Sequence, residues 1–200
     1  MAFAVIAPSL GCAQAGEFED RLYGGSPVRQ RAHLSVDGYG GGYSGGYGGG
    51  YSSGPIMRTT VAYNGSQKPG TIIINTSERR LYYVLGHGQA IRYGIGVGRD
   101  GFRWSGVHRV SAKREWPDWT PPAQMLARRP DLPRHMRGGI ENPLGARAMY
   151  LGSTLYRIHG SNEPETIGQA VSSGCFRMTN EDVVDLYDRV SLGTTVVVQR

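Results

Sequence analysis

Residues 71–97 read TIIINTSERRLYYVLGHGQAIRYGIGV, and this stretch decides the fold class. Thr71–Asn75 is a short, β-branched apolar run, and Arg80–Leu85 is rich in strand formers. The polar residues Thr76–Arg79 separate them, so the two runs predict a hairpin. From Ala90 to Val97, Ile91, Tyr93, Ile95 and Val97 recur at period two with Gly94 and Gly96 between, the alternation of a strand. Val107–Ala112 and Leu155–His159 also read as strands, and Thr194–Gln199 as a closing one. Helical signals are few. Pro122–Arg129 is one. Thr179–Val190 is the other: Thr179 or Asn180 caps it, Glu181 and Asp182 suit its positive end, and Val183, Tyr187 and Val190 share a face. Gly193 ends that region. This balance predicts a mainly β fold, a β-sandwich or small barrel with a few short peripheral helices.

Lys113–Gly145 has a different texture. It contains EWPDWTPP, RRPDLPRH and 6 prolines, and a long segment without strands inside a compact domain is usually a functional loop or lid. Its tryptophans, Trp116 and Trp119, flank Pro117-Asp118. Either they cover the edge of the core or they line a substrate groove.

Upstream, Gly38–Gly54 is low-complexity, with 10 glycines and Tyr39, Tyr43, Tyr47 and Tyr51 spaced four apart. Such a segment buries too little apolar surface to offset its ordering entropy and reads as a flexible tether. Met1–Ala15 (MAFAVIAPSLGCAQA) carries no charged side chain, and Ala13-Gln14-Ala15 fits a small-x-small cleavage site. The organisation expected is therefore a signal peptide over 1–15, a flexible N-terminal region over 16–68 containing the tether, and a folded domain over 69–200. Export to the periplasm follows. Ser9-Leu10-Gly11-Cys12 loosely resembles a lipoprotein site, with Ser9 where Leu is usual, so lipid anchoring at Cys12 is the secondary alternative.

Composition narrows the classes. Of 200 residues, 39% are hydrophobic, and no run of 18 apolar residues exists to serve as an ordinary membrane-spanning helix. Two cysteines exclude a disulfide-dense scaffold and a four-cysteine zinc site. The formal charge of +6, carried by 20 Arg and 2 Lys, suits an anionic partner without choosing it. With Cys12 cleaved away, Cys175 is a lone thiol, and a lone thiol in an oxidising compartment suggests use.

The chemistry concentrates in two segments, HGSN at 159–162 and SSGCFRM at 172–178. A free thiol is only about 3% ionised at pH 7. A neighbouring imidazolium would raise that fraction, and the same histidine could protonate a leaving amine. Gly174 permits a sharp turn beside Cys175, and the Gly174 and Cys175 N–H groups are candidate oxyanion donors. The bland reading is a buried small side chain and an ordinary hydrogen-bonded histidine.

These segments resemble the catalytic signature of the YkuD-type L,D-transpeptidases, in which a histidine precedes a Ser/Thr-x-Gly-Cys motif. GVGRDGFRWSGVHRV, WPDWTPP and GGIENPLGARAMYLG are similar to family text as well, and the likeness covers roughly 69–200. The resemblance implies a YkuD-like β fold with a Pro/Trp-rich lid loop. It implies Cys175 as nucleophile and His159 as proton acceptor and donor. Gly174, Gly160 and Ser173 are implied as oxyanion or orienting positions, with the Gly160 carbonyl steadying the imidazole. Arg177, Trp116, Trp119 and Tyr156 become candidates for substrate contact, Arg177 either clamping a carboxylate or bracing the loop. Ser173 and Arg177 stand where many members carry His and Asn. The implied reaction is acyl transfer on peptidoglycan stem peptides of the meso-diaminopimelate type, with no metal or organic cofactor and no nucleic acid. Acceptors include a second stem, an outer-membrane protein N-terminus, or water. Among rivals, sortases space His and Arg further from Cys, and papain-like enzymes place Cys before His. A zinc site built on Cys175, His159 and His108 lacks a local ligand pair. The rival of another class is a non-catalytic wall-binding protein.

Overall fold

The computed structural model describes residues 56–200. The expected signal peptide, Cys12 and the Gly/Tyr tether lie outside the described residues. Strand β1 (Thr59–Ala62) precedes the hairpin of β2 (Ile72–Asn75) and β3 (Arg80–Gly86), followed by β4 (Gln89–Gly94) and β5 (Val97–Gly98). The long β6 (Gly106–Glu115) leads to the short helix α1 (Ala123–Arg128), then β7 (Arg147–Leu151) and β8 (Arg157–His159). A 3-10 turn at Pro164–Thr166, β9 (Ala170–Ser172), β10 (Phe176–Arg177), α2 (Asn180–Arg189) and β11 (Thr195–Gln199) complete the order.

Nine strands join in the order β1-β4-β3-β2-β11-β6-β7-β8-β10, and β5 pairs separately with β9. The expected hairpin is present, with Ile73 opposite Tyr82. Ile72, Ile73 and Ile74 are all buried, because β2 lies centrally between β3 and a parallel β11; a strand covered on both faces reads as a continuous apolar run. A bulge between Val110 and Ala112 interrupts β6, where a strand bends. Its first half pairs with β11 and its second with β7. One apolar cluster therefore draws Leu81, Tyr93 and Val196 from one half of the sheet and Met149, Ile158 and Phe176 from the other, with Val183 and Leu186 of α2. Beyond β10, Arg177 exchanges backbone hydrogen bonds with Gly96 (2.9 and 3.0 Å). That contact ties the last strand of the sheet back to the segment after β4. The fold is mainly β, as expected.

Several boundaries differ from the sequence reading. The period-two run Ala90–Val97 is not one strand: it breaks after Gly94, and Gly96 turns to serve β10. Gly96 is crowded there, since a Cβ would stand 3.2 Å from the Thr166 carbonyl. The run expected at Leu155–His159 narrows to Arg157–His159. The folded region begins upstream of residue 69, because Thr59–Ala62 pairs with β4 and Arg58 contacts Asp185 at 3.2 Å. β1, β7, β9 and β10 are strands the sequence did not announce.

Helix α2 fits its expected form. Thr179 Oγ1 accepts the Asp182 N–H at 3.2 Å. At the other end Lys113, reaching from β6, donates to the carbonyls of Tyr187 (2.6 Å) and Val190 and lies 4.0 Å from the Tyr187 ring centroid. The Tyr187 carbonyl also accepts the capping Val190 N–H at 3.3 Å, and a cation suits the negative end of a helix. Lys113→Met is expected to lower unfolding stability by about 1–2 kcal/mol, read as a lower urea midpoint with unchanged slope. An unchanged midpoint would refute this role for Lys113.

Candidate active site

The site is set by the parallel pairing of β8 and β10, with Phe176 beside Ile158 and Arg177 beside His159. Ile158 and Phe176 are buried in the apolar cluster. Side chains alternate along a strand, so Arg157 and His159, with Arg177, face away from that core. One residue before β10, Cys175 continues the alternation onto the same face. The two segments singled out in the sequence are thus neighbours, and the thiol is partly exposed.

His159 is buried, 5% exposed. Its Nδ1 lies 2.6 Å from the Gly160 carbonyl, so Nδ1 carries the proton and Nε2 is the acceptor, the tautomer a general base requires. Burial first, then the Arg177 guanidinium, lower its pKa to about 3; the Gly160 hydrogen bond raises it and Arg157 lowers it further. The imidazole is therefore neutral in the free protein. Burial and the two guanidiniums thus disfavour the imidazolium that the sequence reading sets beside the thiol.

The Cys175 Sγ lies 3.7 Å from the Leu155 carbonyl. Around it the turn is tightly braced. Ser172 Oγ donates to the Cys175 carbonyl (2.6 Å) and accepts the Gly174 N–H (3.1 Å). The Trp104 indole donates to the Gly174 carbonyl at 3.0 Å. Gly174 adopts φ +109°, and a Cβ there would meet the Tyr156 ring at 2.6 Å, so only glycine fits. This corrects the oxyanion expectation for Gly174, whose N–H is already given to Ser172. Ser173 Oγ is buried and finds no hydrogen-bond partner among the described residues.

Arg177 is 7% exposed and pairs with Glu163 at 3.1 Å, which places it as a brace between β10 and the segment after His159. Tyr156 stacks on Trp104 (centroids 4.5 Å apart, planes at 17°) and so supports the nucleophile turn. Trp119 is buried in a second small cluster with Leu144, Leu132 and Met136, whereas Trp116 is 41% exposed. Asn142 staples this segment, donating to the carbonyls of Pro117 and Arg137 (both 3.1 Å) and accepting the Leu144 N–H (2.9 Å). Two surface hollows, of about 330 Å³ beside Leu126 and Pro130 and about 450 Å³ beside Lys68 and Thr195, involve none of these residues.

Three residues to which the sequence reading gave no role in the site complete it. Trp104 is the first. Arg157 is the second, legible in principle from its two-residue spacing to His159. Asn180 is the third: its Oδ1 accepts the Ala146 N–H at 2.8 Å, and a Cβ on either Gly145 or Gly160 would stand 2.3 Å from that oxygen. The helix α2 N-terminus is thereby seated against the Gly160 peptide that holds His159.

A partly exposed thiol beside the strand that pairs with that of a buried imidazole, in a mainly β fold, is the arrangement of a cysteine acyl-transfer class of enzyme. Residues 69–198 match the YkuD family, the L,D-transpeptidase catalytic domain, and the chain belongs to that family. The probable L,D-transpeptidase YbiS of Escherichia coli K12 is 40% identical over 134 residues, 62% of this chain and 43% of that protein. The chain thus spans under half the length of that relative. The catalytic domain of the Enterococcus faecium L,D-transpeptidase, solved acylated by ertapenem, aligns over 68% of this chain and all of its own with a TM-score of 0.51 at 21% identity. A Brucella melitensis structure described as a probable carnitine operon oxidoreductase is 50% identical over 72% of this chain and 94% of its own, with a TM-score of 0.49; that description belongs to that protein.

The lowered pKa of His159 has a stability consequence. Between about 6.5 and 3 the unfolded chain binds a proton at this residue and the folded chain does not. Stability contributed by keeping His159 neutral is full above pH 6.5 and falls on acidification, by up to about 1.4 kcal/mol per pH unit. Urea midpoints at pH 7.5, 6 and 5 should fall more steeply for the native protein than for His159→Gln. Parallel curves would show that His159 is not held neutral.

Proposed function

We propose that this protein is a cysteine L,D-transpeptidase acting on peptidoglycan stem peptides. The observation that carries the reading is the shared face of Cys175 and His159, set by the β8–β10 register inside the family match. Cys175 passes its proton to His159 Nε2 and attacks the carbonyl joining the third stem residue, of the meso-diaminopimelate type, to D-Ala. The oxyanion role assigned to the nucleophile turn rests on the Cys175 N–H. His159 returns the proton to the leaving D-Ala amine, and a thioester remains on Cys175. An acceptor amine then attacks the thioester, His159 takes its proton, and the thiol is restored. No cofactor enters this sequence.

The preferred acceptor is the side-chain amine of a second stem, which gives a 3→3 cross-link. The same thioester given to the N-terminal amine of an outer-membrane protein would anchor that protein to the wall, and given to water would trim the stem. The reading places the protein outside the cytoplasmic membrane, exported by residues 1–15, with 38–54 as a tether ahead of the domain. The net charge of +6 suits a carboxylate-rich wall.

Incubation with a carbapenem, a strained acyl donor, is expected to add its mass to the peptide containing Cys175, and Cys175→Ala to remove the adduct. Purified sacculi incubated with the protein and digested should yield new dimers joined between third residues. Branched stems bearing a foreign N-terminus would favour the anchoring acceptor. Absence of both adduct and new products would leave a wall-binding protein without catalysis.

A further inference from the structure

Arg157 stands two residues before His159 on β8 and shares its face. In the register that sets Phe176 beside Ile158, one step back brings Cys175 level with Arg157. The sulfur approaches the same stretch of backbone, 3.7 Å from the Leu155 carbonyl, and the Arg157 charge reaches far enough to disfavour protonation of His159. The guanidinium lies 5.2 Å from the centroid of Tyr150, its register partner on β7. Its Nε is buried and finds no hydrogen-bond partner among the described residues. Neighbouring arginines are matched: Arg177 by Glu163 and Arg147 by Glu115. Arg157 has no such carboxylate among the described residues. A half-buried guanidinium without a counter-ion retains strong attraction for an anion, and its planar fork favours a carboxylate over a point charge.

We propose that Arg157 forms a carboxylate subsite beside Cys175, engaging a carboxylate of the acyl donor while its carbonyl faces the thiol. Which carboxylate it takes rests on the transpeptidase reading. A stem donor offers two next to the scissile bond: the side-chain carboxylate of the third residue and the terminal carboxylate of D-Ala. Arg157 donates to either without bond making or breaking, and so acts on donor affinity.

Alkylation of Cys175 tests the subsite independently of turnover. Iodoacetate and iodoacetamide differ in little but the carboxylate. With the full-length protein and peptide-level mass readout at Cys175, the iodoacetate-to-iodoacetamide rate ratio should fall about 5- to 10-fold in Arg157→Met. It should recover in part in Arg157→Lys. A role confined to His159 basicity, or a partly misfolded variant, slows both reagents together. An unchanged ratio in both variants overturns the proposal. A second arm uses stem tetrapeptides with both carboxylates free, with the third-residue side chain amidated, or with the D-Ala terminus amidated. Arg157→Met should raise KM for the free donor and leave unchanged KM for the one donor whose relevant carboxylate is already amidated, which names the carboxylate. Equal sensitivity of all three donors to the substitution overturns the proposal. A wild-type protein inert on every donor, with the alkylation ratio as expected, overturns the transpeptidase reading and upholds the subsite.

Discussion

The two-residue pairing of β10 with β8 is the constraint on which the site depends. Phe176 and Ile158 must both enter the core, and that requirement fixes the strand register as firmly as any hydrogen bond, because a one-residue slip would exchange the faces. His159, Arg177 and Cys175 then have nowhere to go but the opposite face. A strand of two residues cannot hold itself. β10 is held on its other side by the paired hydrogen bonds to Gly96 and at its end by the Met178 N–H donated to the His159 carbonyl at 2.8 Å. The geometry of the candidate site is thus a consequence of the apolar core, with the polar side chains placed by default on the side the core does not claim.

Placing the histidine in that position trades ionisation for precision. Burial, the Gly160 carbonyl and the seating of Asn180 against Gly145 and Gly160 leave the imidazole little freedom. The same burial, with Arg177 and Arg157 nearby, holds it neutral. A neutral imidazole can accept a proton at Nε2, and an orientation fixed in advance lowers the reorganisation required at the moment of attack. A solvent-exposed histidine would be protonated more readily and oriented less well. The Glu163–Arg177 pair moderates this balance, since its carboxylate offsets part of the charge beside the ring.

What was legible in the sequence follows from where the information resides. β2, β3 and β11 are apolar enough to be read alone, and α2 announces itself through Thr179 and its acidic first turn. β1, β9 and β10 are two to four residues long, and their partners lie far away in sequence, so local propensity says little about them. The Cys175 and His159 segments could be singled out because residue type, order and spacing agree. The protonation state of His159 was not legible: it depends on Arg177, 18 positions along the chain, and on burial that only the folded sheet supplies. Trp119 and Trp116 were undecided in the sequence because a tryptophan suits core edge and groove alike; the backbone exchange between Trp119 and Met136 at 2.8 Å draws Trp119 inward.

The Pro/Trp-rich segment has a packed interior of its own. Trp119, Leu144, Leu132 and Met136 form their own small cluster, and Asn142, 1% exposed, ties both arms of the segment together. Its base is fixed where the Trp116 N–H meets the Ala146 carbonyl at 2.8 Å, and Ala146 also gives its N–H to Asn180. Ala146 therefore links the segment to the Gly160 peptide and to helix α2 at once. A displacement of the extension as a body would have to break the contact that seats the histidine loop.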